Sequence, residues 1–315
     1  MNKVNQEMDR LDSLLPEWVE NSRPESAHGR VAVYIPELSK AQWDLLGISV
    51  LNADGRYSEA GDTEFCFTLQ SISKVFTLIL ALMDHGEEAV FAKVGKEPTG
   101  DNFNSMMKLE LIQPAIPFNP LINAGAIVIS SLIQGDSAQQ KSERILQFFR
   151  KLAGNEHLTV DSEVYRSERE TGHLNRSMAY FLLDKGILEG NVEEVLDVYF
   201  RHCSIQVKTA DLARMALVLA YNGLNPLTGE QLIPRRYVQI AKTFMITCGM
   251  YNGSGEFAIG AGMPAKSGVS GGILTFVPGR LGIGVVGPSL NAKGNSIAGV
   301  HLLERLSREF DWSMF

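Results

Sequence analysis

The sequence predicts an α/β protein of the α+β kind, with an antiparallel sheet built from both ends of the chain and a helical domain inserted between them. Three observations carry this expectation. Residues 47–69 read as strands, residues 71 to about 249 read mostly as helices, and residues 256–288 return to glycine-rich apolar strands before a last helix. The expected division is a sheet domain of residues 1–70 plus 250–315 and a helical domain of residues 71–249, with an active site at their interface.

Taken in order, residues 3–20 carry a helical pattern, with Pro16 either starting a second segment or kinking the first. A polar loop through Pro24 and His28-Gly29 leads to residues 30–36, too short for a full strand and suited to run along a cleft. GISVLN (47–52), Ala53-Asp54-Gly55 and RYSEAGD (56–62) read as a β-hairpin, because Asp-Gly favours positive φ in a tight turn. Residues 64–69 alternate polar with aromatic or aliphatic side chains and are expected to add a third antiparallel strand. VFTLILALM (75–83) fits a buried helix, and FNPLINAGA (118–126) is a turn entering another. The best-marked helix runs from Asp136-Ser137 to a glycine stop at Gly154. Further helices are expected at 175–185, 192–203, 209–221 (Thr209 as cap, Gly223 as stop) and 234–248. Residues 256–262, 271–277 and 281–288 are strand candidates, with Pro278-Gly279 turning between the last two, and 297–310 is a final helix.

Composition narrows the function. With 45% hydrophobic and 21% charged residues the chain is globular, and its net charge of −7 without a basic cluster gives no reason to expect a nucleic-acid partner. The polar, charged N-terminus is not expected to be a signal peptide, and the apolar runs are too short to span a membrane; a cytoplasmic protein is expected. Cys66, Cys203 and Cys248 are scattered in apolar company and read as buried thiols of a reducing compartment. The six histidines form no metal-ligand spacing, so neither a metal nor another cofactor is expected.

The chemistry centres on Ser71 and Lys74, where the strand pattern hands over to the helix. Three residues apart, the two side chains share one face of the first turn, beside the free amides of a helix start. A hydroxyl beside an amine is a nucleophile with a base, the S-x-x-K arrangement of serine acyl-transfer enzymes. The bare pattern is not specific: about one is expected by chance in a chain of this length. Ser105…Lys108 fits it equally well, and Ser71 would serve as an ordinary helix cap. Context separates the two, since only Ser71 has an apolar helix behind it. At the other junction stands Lys266-Ser267-Gly268 before an apolar strand, a conservative form of the K-T-G element that accompanies S-x-x-K in penicillin-recognising enzymes.

From about residue 20 to 300 the sequence resembles the serine-dependent glutaminases, β-lactamase-like amidohydrolases that convert L-glutamine to L-glutamate and ammonia. The resemblance rests on VAVYIPEL (31–38), FTLQSISKVF (67–76), VGKEPTGDNFN (94–104), PFNPLINAGAI (117–127) and KLAGNEH (151–157). It continues in SERETGHLN (167–175), VYFRHCSI (198–205), YNGLNPLTGE (221–230), CGMYNGSGEFA (248–258) and GMPAKSGVSGGI (262–273). The chain resembles the short bacterial form, without the N-terminal extension and ankyrin repeats of the animal enzymes. The resemblance implies a β-lactamase-like fold and a homodimer or homotetramer. It implies Ser71 as nucleophile, Lys74 as base and Tyr251 as the hydroxyl that relays protons. It places substrate contacts on Tyr34, Ser71, Asn123, Glu168, Asn175, Tyr199, Tyr251 and the backbone of Val269.

Chemistry gives each a task. Lys74 acts as base only when neutral, which a dry cleft and a second cation, with Lys266 the candidate, would favour. The amides of Ser71 and Val269 would form the oxyanion hole. Glu168 would meet the ammonium of free glutamine, and Asn123, Asn175 and the tyrosine hydroxyls its carboxylate. Without the resemblance the same residues have plainer readings. Asn123 is a turn former, Asn175 a helix cap, Glu168 a solvated helix charge, and Tyr34 and Tyr199 packing residues. Two other classes compete, a penicillin-interactive enzyme and a ligand sensor without turnover. The first lacks an S-D-N element and an export signal here, and an intact Ser71, Lys74 and Tyr251 argues against the second.

Overall fold

A computed structural model of the chain describes residues 3–100 and 115–315. Helix α1 (Lys3–Ser22) runs through Pro16 and buries Met8, Leu11, Leu15 and Val19, the three- and four-residue spacing of one helical face. After 3-10 turns at Arg23–His28 and Pro36–Lys40 come β1 (Gly47–Asn52) and β2 (Tyr57–Gly61). They form the expected hairpin, its turn made by Gly55 at φ +80° and by Asn52 Oδ1, which accepts from the amides of Asp54 and Arg56 at 3.0 and 2.9 Å. The chain continues through β3 (Phe67–Thr68), α2 (Ser73–Phe91), α3 (Asn123–Leu132), α4 (Ala138–Ala153), α5 (Ser162–Thr171), α6 (His173–Asp184) and α7 (Val192–Cys203). Next come β4 (Gln206–Val207), α8 (Thr209–Ala220), the small hairpin β5 (Leu224–Asn225) and β6 (Glu230–Gln231), and α9 (Arg235–Cys248). The chain closes with α10 (Ser254–Gly260), β7 (Ala265–Ser267), β8 (Gly272–Val277), β9 (Leu281–Val286) and α11 (Ile297–Phe310).

Strands from the two ends interleave in one antiparallel sheet of order β2-β1-β9-β8-β7. β1, β8 and β9 are buried along their whole length, so both faces are covered. On one face Ile48, Ile273, Ile283 and Val285 pack with Met8 and Leu11 of α1 and Leu302 and Leu306 of α11. The other face receives α8, and alternate positions of β9 make room for it. A Cβ at Gly282 would stand 2.1 Å from the Ala213 carbonyl oxygen, and one at Gly284 2.2 Å from that of Thr209. A second apolar cluster surrounds α2, whose residues 73–82 are all buried, with Ile127, Phe149, Phe200 and Ala216 against it. Glu7 ties the chain ends together, accepting from Arg280 at 2.6 Å and from Trp312 Nε1 at 2.5 Å.

Several sequence expectations are corrected. Residues 64–69 do not join the hairpin: the chain turns at Asp62–Phe65, β9 occupies the free edge of β1, and only Phe67–Thr68 is extended, paired with β4. Residues 256–260 lie in a helix instead of a strand, and the chain leaves it through Ala261 and Gly262, because the buried Phe257 and Ala261 are four apart and Ile259 between them is 91% exposed. Lys208, not Thr209, caps α8, with its amide donating to Asp211 Oδ2 at 2.8 Å, while the Thr209 hydroxyl meets Ser49 at 2.7 Å inside the sheet contact. Cys66 is exposed; of the three thiols only Cys203 is fully buried. Helix α5, capped by Asp161, and the short strand β7 were not anticipated. The competing Ser105…Lys108 pair lies outside the described residues.

Candidate active site

The site begins at the turn between β3 and α2. Leu69 N donates to Ile205 O at 2.9 Å, after which the chain tightens into a 3-10 turn at Gln70–Ile72. Gln70 adopts φ +48°, a left-handed conformation that costs a non-glycine residue about 1 kcal/mol or more. Its neighbours hold it there. The Gln70 carbonyl accepts from the Ser73 hydroxyl at 2.6 Å, and its side chain donates to Thr68 Oγ1 at 3.2 Å and bonds Glu168. The turn leaves Ser71 buried and hydrogen-bonded to Tyr251.

Lys74 lies in the first turn of α2, fully buried. Its Nζ donates to Asn123 Oδ1 at 2.6 Å and to the Leu121 carbonyl at 3.3 Å, both neutral acceptors, and stands 5.9 Å from the Tyr199 ring centre. Burial pulls its pKa down to about 8, opposed by nearby groups that include Glu168. Lys266, on β7, donates to the carbonyls of Gly249 and Ser267 at 3.0 and 2.6 Å and lies 4.2 Å from the Tyr251 ring centre. Burial, and then Lys74, pushes Lys266 well below the ordinary lysine range. The depression of Lys74 is therefore an effect of burial first, not of a second cation, because Lys266 is itself driven toward the neutral amine.

Tyr251 sits at φ +52°, and its hydroxyl donates to the Ser267 carbonyl at 3.1 Å. With its one proton so directed, the phenol oxygen accepts from Ser71. Burial raises its pKa, and the bond to Ser71 opposes the rise. Val269 follows β7 in the turn to β8, packed against Ala32, Leu290 and Tyr251. That turn lies directly on the Ser71 segment: a Cβ at Gly268 would stand 2.6 Å from the Leu69 carbonyl, and Ser270 Oγ donates to Thr68 O at 2.6 Å. Among the described residues the Val269 amide has no hydrogen-bond partner.

The remaining predicted residues converge on the same place. Asn123, the first residue of α3, passes its Nδ2 to Asn175 Oδ1 at 3.0 Å; Asn175 lies in the first turn of α6 and is not its cap. Glu168 is 6% exposed, and its Oε1 has no partner among the described residues. Burial raises its pKa to about 7, against the bond from Gln70 and the charge of Lys74. Tyr199, on α7, is buried. Tyr34 is 53% exposed, and its phenol is pushed well up by burial first and then by Tyr251 and Glu168. Gln70 was not singled out from the sequence. Glutamine is not a turn-forming type, and only its place beside Ser71 marked it.

A hydroxyl bonded to a phenol, one helical turn from a buried, readily neutralised amine and on the segment that an unpaired amide's turn packs against, suits acyl transfer. The orphaned carboxylate oxygen suits a cationic group on the substrate. Among the described residues no group of three histidine, cysteine, aspartate or glutamate side chains is placed to hold a metal ion.

Comparison with known proteins points to one family. The glutaminase family model matches residues 29–315. The glutaminase of Alkaliphilus metalliredigens (strain QYMF) is 54% identical over 305 residues, covering 97% of this chain and 100% of that protein. A crystal structure of a Bacillus glutaminase in 4.3 M NaCl superposes with a TM-score of 0.90 at 43% identity, over 96% of this chain and 99% of that one. A Bacillus subtilis glutaminase in covalent complex with 5-oxo-L-norleucine, formed by reaction with 6-diazo-5-oxo-L-norleucine, superposes with a TM-score of 0.88 at 43% identity, over 96% and 98% of the two chains.

Proposed function

Because the chain belongs to the glutaminase family and shares its β-lactamase-like fold, we propose that it hydrolyses L-glutamine to L-glutamate and ammonia through a γ-glutamyl ester on Ser71. Neutral Lys74 takes the Ser71 proton as the oxygen attacks the side-chain amide carbon. The amides of Ser71 and Val269 receive the oxyanion. Tyr251, bonded to Ser71, relays the proton now held by Lys74 to the departing ammonia, so that both groups end the step as they entered it. Water then cleaves the ester and restores Ser71. Glu168 binds the substrate ammonium, while Asn123, Asn175, Tyr34 and Tyr199 orient its carboxylate.

The observation that carries this reading is Lys74, fully buried one turn from Ser71, with two neutral oxygens as the partners of its Nζ among the described residues. The B. subtilis relative is known as a covalent adduct formed from 6-diazo-5-oxo-L-norleucine, so that reagent is the test. We expect it to label the peptide containing Ser71, with protection by glutamine, and Ser71→Ala to show neither label nor turnover. Turnover in Ser71→Ala, or the adduct on another residue, overturns the assignment.

The division into a sheet unit (1–70 plus 250–315) and a helical unit (71–249) is part of the proposal, supported by the two apolar clusters. A cytoplasmic location is proposed as well; no helix among the described residues is long and apolar enough to cross a membrane. A homodimer or homotetramer is proposed on the family resemblance, and light scattering on the purified protein measures it.

A further inference from the structure

The end of α7 grips the Ser71 turn through a histidine. His202 is 1% exposed, with Nδ1 2.8 Å from Ser73 Oγ and Nε2 3.0 Å from Ser130 Oγ; its ring stands edge-on to Tyr199, centres 5.3 Å apart. Beyond it, Ser73 Oγ is 2.6 Å from the Gln70 carbonyl and Ser130 Oγ is 2.8 Å from that of Ala126. Cys203 Sγ makes a longer contact with Nδ1 at 3.9 Å and also bonds Ser73; the four shorter contacts call for four protons. The hydroxyls supply one each, and a neutral imidazole supplies one. Burial, and then Lys74, pushes His202 down to about 3, so the ring is neutral near pH 7 and one contact goes without a proton.

Two tautomers place the gap differently. With the ring proton on Nε2, Ser130 keeps its bond to Ala126, but Ser73 turns its proton toward Nδ1 and leaves the Gln70 carbonyl to the Ser73 amide alone. With the ring proton on Nδ1, Ser73 accepts from the ring and gives its own proton to Gln70, while Ser130 gives up Ala126 to serve Nε2. Ala126 lies inside α3 and is held by helix bonds on both sides. Gln70 is the strained residue, at φ +48° immediately before Ser71. The second tautomer thus puts the hydrogen bond where the backbone needs holding.

We propose that His202, protonated on Nδ1, is a positioning residue for the nucleophile: through Ser73 it fixes the Gln70 carbonyl and with it the left-handed turn that presents Ser71. This rests on the reading of Ser71 as nucleophile. His202 itself touches neither substrate nor reacting atoms. Its removal should loosen the geometry of attack more than binding, since Tyr199 is the one proposed binding side chain that meets its ring among the described residues, and misplaced reacting groups lose rate steeply.

The test is kcat and KM for glutamine, with Tm, on His202→Leu, His202→Asn, His202→Gln, Ser73→Ala and the double variant Ser73→Ala/His202→Leu. Asparagine places an amide donor where Nδ1 stands, and glutamine places one near Nε2. We expect His202→Leu to lose about tenfold or more in kcat with KM within about twofold. His202→Asn should recover most of that loss and His202→Gln little of it. The double variant should be no worse than Ser73→Ala, since both changes break one chain of contacts. Equal recovery by asparagine and glutamine, losses that multiply in the double variant, or an unchanged kcat in His202→Leu overturns the proposal. Should His202→Leu fail to fold, the asparagine–glutamine pair decides alone. Labelling of wild-type Ser71 by 6-diazo-5-oxo-L-norleucine reports on the nucleophile separately. Label on Ser71 with indifferent His202 variants sinks this inference only, whereas label elsewhere sinks the mechanism beneath it.

Discussion

Lys74 Nζ and Asn123 Oδ1 lie 2.6 Å apart, and the same Asn123 amide donates to Asn175 at 3.0 Å. The proposed base is thus oriented by the asparagine pair that is proposed to receive the substrate carboxylate. Among the described residues Lys74 forms no ion pair, and burial keeps its neutral form within reach against the charge of Glu168.

The acid limb of kcat/KM should rise as pH increases through about 8, the pKa to which burial lowers Lys74, because the base works only after losing its proton. Asn123→Asp puts a negative charge on the ammonium and favours its charged form. The limb should move up by about 1–3 pH units, with activity at pH 7 falling about tenfold or more. An unmoved limb would show that another group sets it.

Lys74→Arg should be nearly as inactive as Lys74→Ala. Arginine keeps the charge but does not lose its proton near neutral pH. Substantial turnover in Lys74→Arg would reduce Lys74 to a fixed charge and leave Tyr251 as the base.

Glu168→Gln should cost glutamine about thirtyfold to several thousandfold in kcat/KM, the cost of about 2–5 kcal/mol for leaving one charge of a buried pair alone. Glutaramic acid, which has the carboxamide but no ammonium, should be a poor substrate for the wild type and should lose much less in the variant. Glu168 has a pKa raised to about 7, so it ionises as pH rises through that value. The KM for glutamine should therefore fall between pH 6 and 8, and that for glutaramic acid should not. Parallel losses for the two compounds would make Glu168 structural or part of the chemistry.

Gly284→Ala should lower Tm by about 5–10 °C, because its Cβ would meet the Thr209 carbonyl at 2.2 Å in a contact of backbone on backbone. Gly255→Ala, in α10 with nothing within 4 Å of the new carbon, should be neutral or stabilising by up to about 1 kcal/mol. Equal behaviour of the two in a thermal melt would mean that α8 shifts easily on the sheet.

The hairpin at 47–61, the strands at 272–286 and the last helix were legible because their periodicity or turn residues are unambiguous. Residues 256–262 misled because a short apolar run with glycines has no decisive period, and burial at 257 and 261 emerges only from packing. Residues 64–69 alternate like a strand, yet alternation does not say which edge a strand will find. Ser71, Lys74 and Lys266 were picked out by two motifs in the expected order, neither specific alone, and Glu168 and the asparagines only through family resemblance. Gln70 and His202 carry no such mark. One matters for a backbone angle, the other for which ring nitrogen holds a proton, and neither is written in residue type.

In the sheet, Gly47 pairs with Val286, so β1 leaves the ribosome long before the strand that covers its edge. Everything from Ser71 to Lys266 is synthesised in between. A growing chain therefore carries its serine and lysine early, with no β7 and no Val269 turn to complete the site. Pairing of such distant partners is slow, because a long loop must close before any contact rewards it. The proposed site is completed only when the final strands dock, so a chain truncated before β7 should spend no glutamine.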